Sequence, residues 1–264
     1  MSLTVGVLGY GAIGRVVATR LAAGAVDGVE LSGVINRTSG NAASDGLPEL
    51  SLDEAIEVAD IIVECAAIQA VGECGPRVIA AGCDLLITSI GALAVDGLRT
   101  RLLVDGPGRS YLTAGAIGGL DLLSAAALDG GLDSVTLMSA KKANSLVQPW
   151  MDDVTAARLH DTTKAISVFE GSVREAIRLF PKSLNVAAAI AIATDTWDTL
   201  QVEMLADPLA HLTTHHIHAE GRRGDYRFTI SNHPLEENPT TSGLVPEAIL
   251  HGLAKLANPS GTFL

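Results

Sequence analysis

Residues 4–14 read Thr-Val-Gly-Val-Leu-Gly-Tyr-Gly-Ala-Ile-Gly, an apolar, β-rich run that opens into G-x-G-x-x-G at Gly9, Gly11 and Gly14. A helix-like stretch, Ile13 to Ala23, follows at once. The order strand, glycine turn, helix restricts the fold more than any other feature here, because it is how a dinucleotide-binding βαβ unit begins. Gly9 permits the tight turn. Gly11 lets backbone approach a pyrophosphate, and Gly14 lets helix and strand pack closely. Free N–H groups around Ala12 and Ile13 then face the phosphates, where the helix dipole favours negative charge.

The first part of the chain continues that alternation. Strands are expected at Leu3–Leu8, Glu30–Asn36, Ile61–Glu64, Asp84–Thr88 and Ser110–Leu112. Helices are expected at Leu52–Ala59, Glu73–Ala81 and Asp96–Val104. Such alternation implies right-handed crossovers and a parallel sheet. After about residue 115 the pattern becomes α+β. Helices are expected at Leu120–Leu128, Val173–Leu179 and Leu184–Ala193, with strands at Ser134–Ala140, Leu200–Leu205, Leu212–Glu220 and Tyr226–Ser231. These form a second domain with a mixed or antiparallel sheet. A last helix, Leu244–Leu256, carries Val245, Ile249, Leu253 and Leu256 at helical spacing and packs back on an existing surface.

The second strand indicates which dinucleotide binds. An acidic residue holding the NAD ribose normally ends that strand, about 20 residues beyond the glycines. Here it ends Asn36-Arg37-Thr38. Asn36 has no charge to repel a 2′-phosphate, Arg37 can pair with one, and Thr38 can donate to it. This favours NADP over NAD, with a flavin dinucleotide as a weaker alternative.

Composition narrows the class. A net charge of −12 without a long basic run argues against nucleic acid as a partner. Cys65, Cys74 and Cys83 lack C-x-x-C spacing and read as reduced thiols in a cytoplasmic protein. No apolar run reaches the ~18–20 residues that span a bilayer, so no membrane partner is expected.

Three later segments carry chemistry. Thr113-Ala114-Gly115-Ala116-Ile117-Gly118-Gly119-Leu120-Asp121 is a small-residue turn that leaves backbone N–H groups accessible, or simply a close-packed corner. In Phe180-Pro181-Lys182-Ser183-Leu184-Asn185, Pro181 stops one helix and Asn185 falls in the first turn of the next, as a local cap or a ligand to a carboxamide. In Thr213-Thr214-His215-His216-Ile217-His218, strand alternation sets His215 with Thr213 and Ile217, and places His216 and His218 on the other face. A metal site of His211, His216 and His218 is the rival reading, and it lacks a matching acid or Cys. No metal is therefore expected. A metal-dependent hydrolase built on those histidines would leave the glycine motif unexplained.

These segments, with Glu237-Asn238-Pro239-x-Thr241-Ser242 at the entry to the last helix, resemble the L-aspartate dehydrogenase family. Their order and spacing run through nearly the whole chain. The resemblance implies an α/β protein: an N-terminal Rossmann domain with a parallel sheet, residues 1–114, and an α+β catalytic domain with a mixed sheet, residues 115–237. Residues 238–264 are expected to return to the first domain. It implies NAD(P)-dependent oxidation of L-aspartate to iminoaspartate, which hydrolyses to oxaloacetate and ammonia or feeds NAD biosynthesis, and a homodimer. By motif match His215 takes the catalytic position, and Ala116 and Asn185 take nicotinamide-cofactor positions. Lys141 meets a substrate carboxylate, aided by Lys142 or Lys182. His215 is expected to take a proton from the substrate amine or to activate water on the imine.

The chain departs from the family where Asn two residues before the His becomes Thr213, and Glu after it becomes His216. Thr-Arg-Lys-Pro becomes Ser139-Ala140-Lys141-Lys142, which removes an Arg that could bind a carboxylate through two N–H groups. Rival readings are a dehydrogenase or imine reductase for another amino or dicarboxylic acid, and a non-catalytic NADP-binding sensor.

Overall fold

The computed structural model describes residues 2–181 and 183–261. The chain divides into two compact units, Met1–Gly115 with Val245–Leu264, and Ala116–Leu244.

The first unit runs β1 (Leu3–Leu8), α1 (Ala12–Ala22), β2 (Val29–Ile35), α2 (Asn41–Ser44), α3 (Leu52–Val58), β3 (Ile61–Glu64), α4 (Ile68–Ala80), β4 (Asp84–Ile87), α5 (Asp96–Leu103) and β5 (Ser110–Leu112). Its strands form one parallel sheet in the order β2-β1-β3-β4-β5. Every residue of β3 is buried, as a parallel strand covered on both faces requires. The order reverses between β1 and β3, and the carboxyl ends flanking such a switch are where open α/β sheets take their ligands. Helix α3 starts on a capping box between Ser51 and Glu54.

Helix α4 begins five residues before its expected start at Glu73. Gly72 just before the expected start reads as a helix breaker, yet the helix runs through it, and Val71, Gly75, Val78 and Ile79 form its buried stripe. A Cβ at Gly75 would come 3.0 Å from the Leu102 side chain and 3.3 Å from that of Leu85. Close packing overrides propensity at this point.

The second unit runs α6 (Leu120–Ala127), β6 (Leu132–Lys142), α7 (Asp153–Asp161), β7 (Ile166–Ser172), α8 (Val173–Leu179), α9 (Asn185–Thr194), β8 (Gln201–Asp207), β9 (Thr213–Gly221), β10 (Gly224–Asn232), β11 (Pro234–Leu235) and β12 (Asn238–Ser242). Its main sheet has the order β10-β9-β6-β8-β7 and is mixed, with only the β6–β8 pair parallel. Elements α7 and β7 were not anticipated from sequence. A register shift between Ser167 and Phe169 breaks the two-residue period that would have marked β7.

This sheet has two unlike faces. On one, Val135, Leu137, Ser139 and Lys141 of β6 pair across with Ala219, Ile217 and His215 of β9, and with Val202, Met204 and Ala206 of β8. All are buried. Helix α8 packs on β7 and β8, and Gly119, just before α6, lies against the Phe228 ring. The other face presents Thr136, Met138 and Ala140 of β6 with His216 and His218 of β9. Among the described residues, no helix is long and apolar enough to cross a membrane.

The last helix, α10 (Leu244–Ala257), belongs to the first unit from Val245 onward. Its Gly252 lies against Leu86, and Glu247 is ion-paired with Arg20. Residues 238–242, grouped with this helix in the sequence reading, pair as β12 with β11 and stay in the second unit.

Candidate active site

In the first unit the glycine turn is fixed by contact. Gly9 has a φ of +100°, and a Cβ there would come within 2.8 Å of Ala66, which follows β3. A Cβ at Gly14 would fall 2.0 Å from the Gly9 carbonyl oxygen. At Gly11, by contrast, a Cβ would meet nothing within 4 Å. Helix α1 has no side-chain cap at Gly11, and the first N–H to bond back is that of Arg15, to the Gly11 carbonyl at 2.9 Å. The N–H groups of Ala12, Ile13 and Gly14 are thus the helix's unpaired N-terminal donors. A bare backbone over uncapped donors fits a dinucleotide pyrophosphate.

At the end of β2, half-buried Asn36 donates to the Thr38 carbonyl at 3.0 Å, while Arg37 and Thr38 are exposed. Glu49, the acid closing this loop, is spent elsewhere. It accepts from the N–H groups of Gly40, Ala42 and Ala43, and those of Gly40 and Ala43 hold its carboxyl below the usual range.

Glu64, at the carboxyl end of β3, was not singled out from sequence. It is fully buried and accepts from the N–H groups of Ala66, Thr88 and Ser89 and from the Ser89 hydroxyl. Burial pushes its pKa up, and the four donors oppose that. The carboxylate thereby ties the loop after β3, which touches Gly9, to the loop after β4.

In the second unit the covered sheet face changes character along its length. Toward one end it is Val135, Leu137, Ile217 and Ala219. Toward the other it carries Ser139, Lys141, Thr213 and His215, all at most 9% exposed. Ser139 stands directly across from His215, and its hydroxyl lies 2.8 Å from the ring Nδ1. Lys141 Nζ donates to the Thr240 carbonyl of β12 at a long 3.4 Å. Asn232, opposite Thr213, donates to the Ala116 carbonyl at 2.7 Å and so pins the small-residue turn to this end of the sheet. Asn185 is the first residue of α9. The turn before it is anchored by Phe180, fully buried and edge-on to Trp150 and Phe169 at 5.7 and 6.0 Å.

Burial dominates the electrostatics. It pulls the Lys141 ammonium down to about 8. It pulls His215 down to about 3, with the charges of Lys141 and His216 acting in the same direction. His215 is therefore a neutral imidazole at physiological pH, next to a lysine that titrates close to that range.

The structure brings together Ser139, Lys141, Thr213, His215, Asn232 and Ala116. Lys142, expected to aid Lys141, is exposed and one residue further along the strand, so alternation sends it to the opposite face. Lys182 lies outside the described residues. Of the histidines in the rival metal reading, His216 bonds Thr229 at 3.0 Å, and His218 faces the carboxylates of Asp225 and Glu220 at 3.1 and 3.5 Å. Arg227 shares Asp225 at 2.9 Å, and the ligand atoms of His218, Glu220 and Asp225 lie within 4.8 Å of one another, so two acids do accompany one histidine of that reading. Asn232 and Ser139 were missed as site residues because their roles depend on strand register, which no local pattern encodes.

Residues 121–256 match the family model described as aspartate dehydrogenase, C-terminal, and residues 9–105 match that of the homoserine dehydrogenase NAD binding domain. The chain is 36% identical to L-aspartate dehydrogenase of Serratia proteamaculans, over 95% of this chain and 96% of that protein. It is 32% identical to L-aspartate dehydrogenase of Methanosarcina acetivorans, over 97% and 98%. Among solved structures, aspartate dehydrogenase of Thermotoga maritima aligns over the full length of both chains with a TM-score of 0.75 and 27% identity.

Lys141 yields a stability prediction. Its pKa is 10.5 as a free side chain and about 8 in the fold, so between those values the unfolded chain binds more protons. Stability therefore climbs as pH rises from about 8 to 10.5, and below that window the buried charge costs up to about 3 kcal/mol. Lys141→Met should be more stable than wild type at neutral pH in urea denaturation and should lose the alkaline rise. A less stable variant at neutral pH would contradict the assignment.

Proposed function

The chain belongs to the L-aspartate dehydrogenase family, and from that membership we propose that it oxidises L-aspartate with NAD(P) to an imine that water opens to oxaloacetate and ammonia. The observation that carries this reading is the cluster of Ser139, Lys141 and His215, a cation and a neutral imidazole set into an otherwise apolar sheet face. When bound, the nicotinamide accepts the hydride that leaves the substrate Cα.

The roles follow from chemistry. The N–H groups of Gly11, Ala12, Ile13 and Gly14 hold the pyrophosphate, with Gly9 shaping the turn. The backbone at Ala116 and the Asn185 side chain orient the nicotinamide. Lys141 attracts a substrate carboxylate, which also repays the cost of its own burial. His215 works at the reacting end through Nε2, the ring nitrogen that Ser139 leaves unused. That nitrogen can accept a proton or donate a hydrogen bond, and either serves formation and hydrolysis of a C=N bond.

The missing Arg of the family pattern bears on substrate choice. Position 140 faces the open side of the sheet, opposite Lys141 and His215, so Ala140 leaves the charge of the cluster intact. The lost Arg therefore does not by itself argue against a carboxylate-bearing substrate such as aspartate. Asn36 and Arg37 favour NADP over NAD. The half-buried Met138, Ala140 and Leu205, on a face otherwise made of polar and charged residues, support pairing of that face with a second copy. Sedimentation should then give a homodimer, and a monomer would refute it. The three free thiols fit a cytoplasmic setting, which cell fractionation tests.

The functional test is near-ultraviolet absorbance of reduced nicotinamide with L-aspartate. Turnover is expected, faster with NADP, and Arg37→Ala should erase that preference by raising the KM for NADP about tenfold. His215→Ala should cut kcat by about 10²–10⁴-fold with cofactor affinity nearly unchanged. Cofactor binding without turnover on any amino acid would move the reading to a sensor, and full turnover of the His215 variant would remove His215 from the chemistry.

A further inference from the structure

A neutral imidazole has one N–H, and which nitrogen carries it decides what the ring can do. His215 offers Nδ1 to Ser139 and leaves Nε2 for the substrate. If Nδ1 carried the proton, it would donate to the Ser139 oxygen, and Nε2 would be an acceptor able to take a proton. The serine hydroxyl hydrogen would then need another acceptor.

Ser139 is 0% exposed, and among the described residues its hydroxyl has no hydrogen-bond partner besides His215 Nδ1. A buried hydroxyl with its hydrogen unsatisfied is costly. The arrangement that satisfies both groups has the Ser139 O–H donating to an unprotonated Nδ1, with the imidazole proton on Nε2. Cross-strand pairing leaves little room for another geometry, because both residues lie within strands and directly opposite each other.

We propose that Ser139 is a positioning residue that locks His215 as the Nε2–H tautomer, so that the ring meets the substrate as a hydrogen-bond donor and not as the base. The inference rests on His215 being at the reacting end, as proposed above. A fixed N–H aimed at the substrate suits a carboxylate oxygen, which a preorganised donor holds in place while hydride leaves Cα. His215 keeps its proton throughout this role. The amine enters uncharged, its proton already given to solvent, and its lone pair forms the C=N bond as hydride leaves Cα. The burial that holds His215 far below its ordinary pKa supports this assignment, because a ring that resists protonation is a poor proton acceptor.

The test is nitrogen NMR on full-length protein carrying ¹⁵N-histidine, with the His215 signals identified by their loss in His215→Ala. At neutral pH, Nε2 should resonate as a protonated nitrogen and Nδ1 as an unprotonated acceptor. Ser139→Ala should give a mixture of tautomers and lower kcat about tenfold while the cofactor KM stays unchanged. Ser139→Thr, which keeps the hydroxyl, should restore both the single tautomer and kcat. A wild-type spectrum with the proton on Nδ1 would overturn the proposal, as would a Ser139→Ala enzyme with wild-type tautomer and kcat. If Ser139→Ala does not fold, the wild-type and Ser139→Thr spectra still decide. Loss of the wider functional reading would look different: His215→Ala would turn over normally while the tautomer stayed as described.

Discussion

The pairing of β6 with β9 is the constraint on which the site depends. Its register sets Ser139 against His215 and, two residues on, places Lys141 on the same covered face. A slip of β6 by one residue would turn Ser139 and Lys141 to the open face, away from His215, and bring Thr136, Met138 and Ala140 inward. Val135 and Leu137, packed beside Ala219 and Ile217 further along, oppose that slip, because it would expose them. The hydrophobic half of the strand pair thus sets the geometry of its polar half.

Burial then does two things at once. It gives Lys141 and His215 unusual proton affinities, and it removes the water that would otherwise satisfy the Ser139 hydroxyl. The first unit uses the same device at Glu64, a carboxylate without solvent that binds two loops through four donors. In both units a buried polar group is tolerated because it organises the elements around it, and the cost in stability is the one expected of a functional site.

Much of this was legible in the sequence. The glycine turn, the apolar run Ile61–Val63 of β3 and the alternation of Thr213 to His218 each follow from a local rule, and the structure places them accordingly. The early start of α4 was not legible, since Gly72 just before the expected start looks like a breaker although the helix runs through it. Strand β7 was hidden by its register shift. Lys142 was grouped with Lys141 by adjacency, although neighbours in a strand point apart. The contacts Ser139–His215, Asn232–Ala116 and Lys141–Thr240 join residues 76, 116 and 99 positions apart, and nothing local foretells them.

The central claim is that this chain moves a hydride from the α-carbon of an amino acid to a nicotinamide. It is tested most directly with L-aspartate deuterated at Cα and mass spectrometry of the products. Direct transfer predicts that the reduced nicotinamide carries the deuterium. Deuterium released to water, with unlabelled cofactor, would mean that the α-hydrogen leaves as a proton, and would contradict the account.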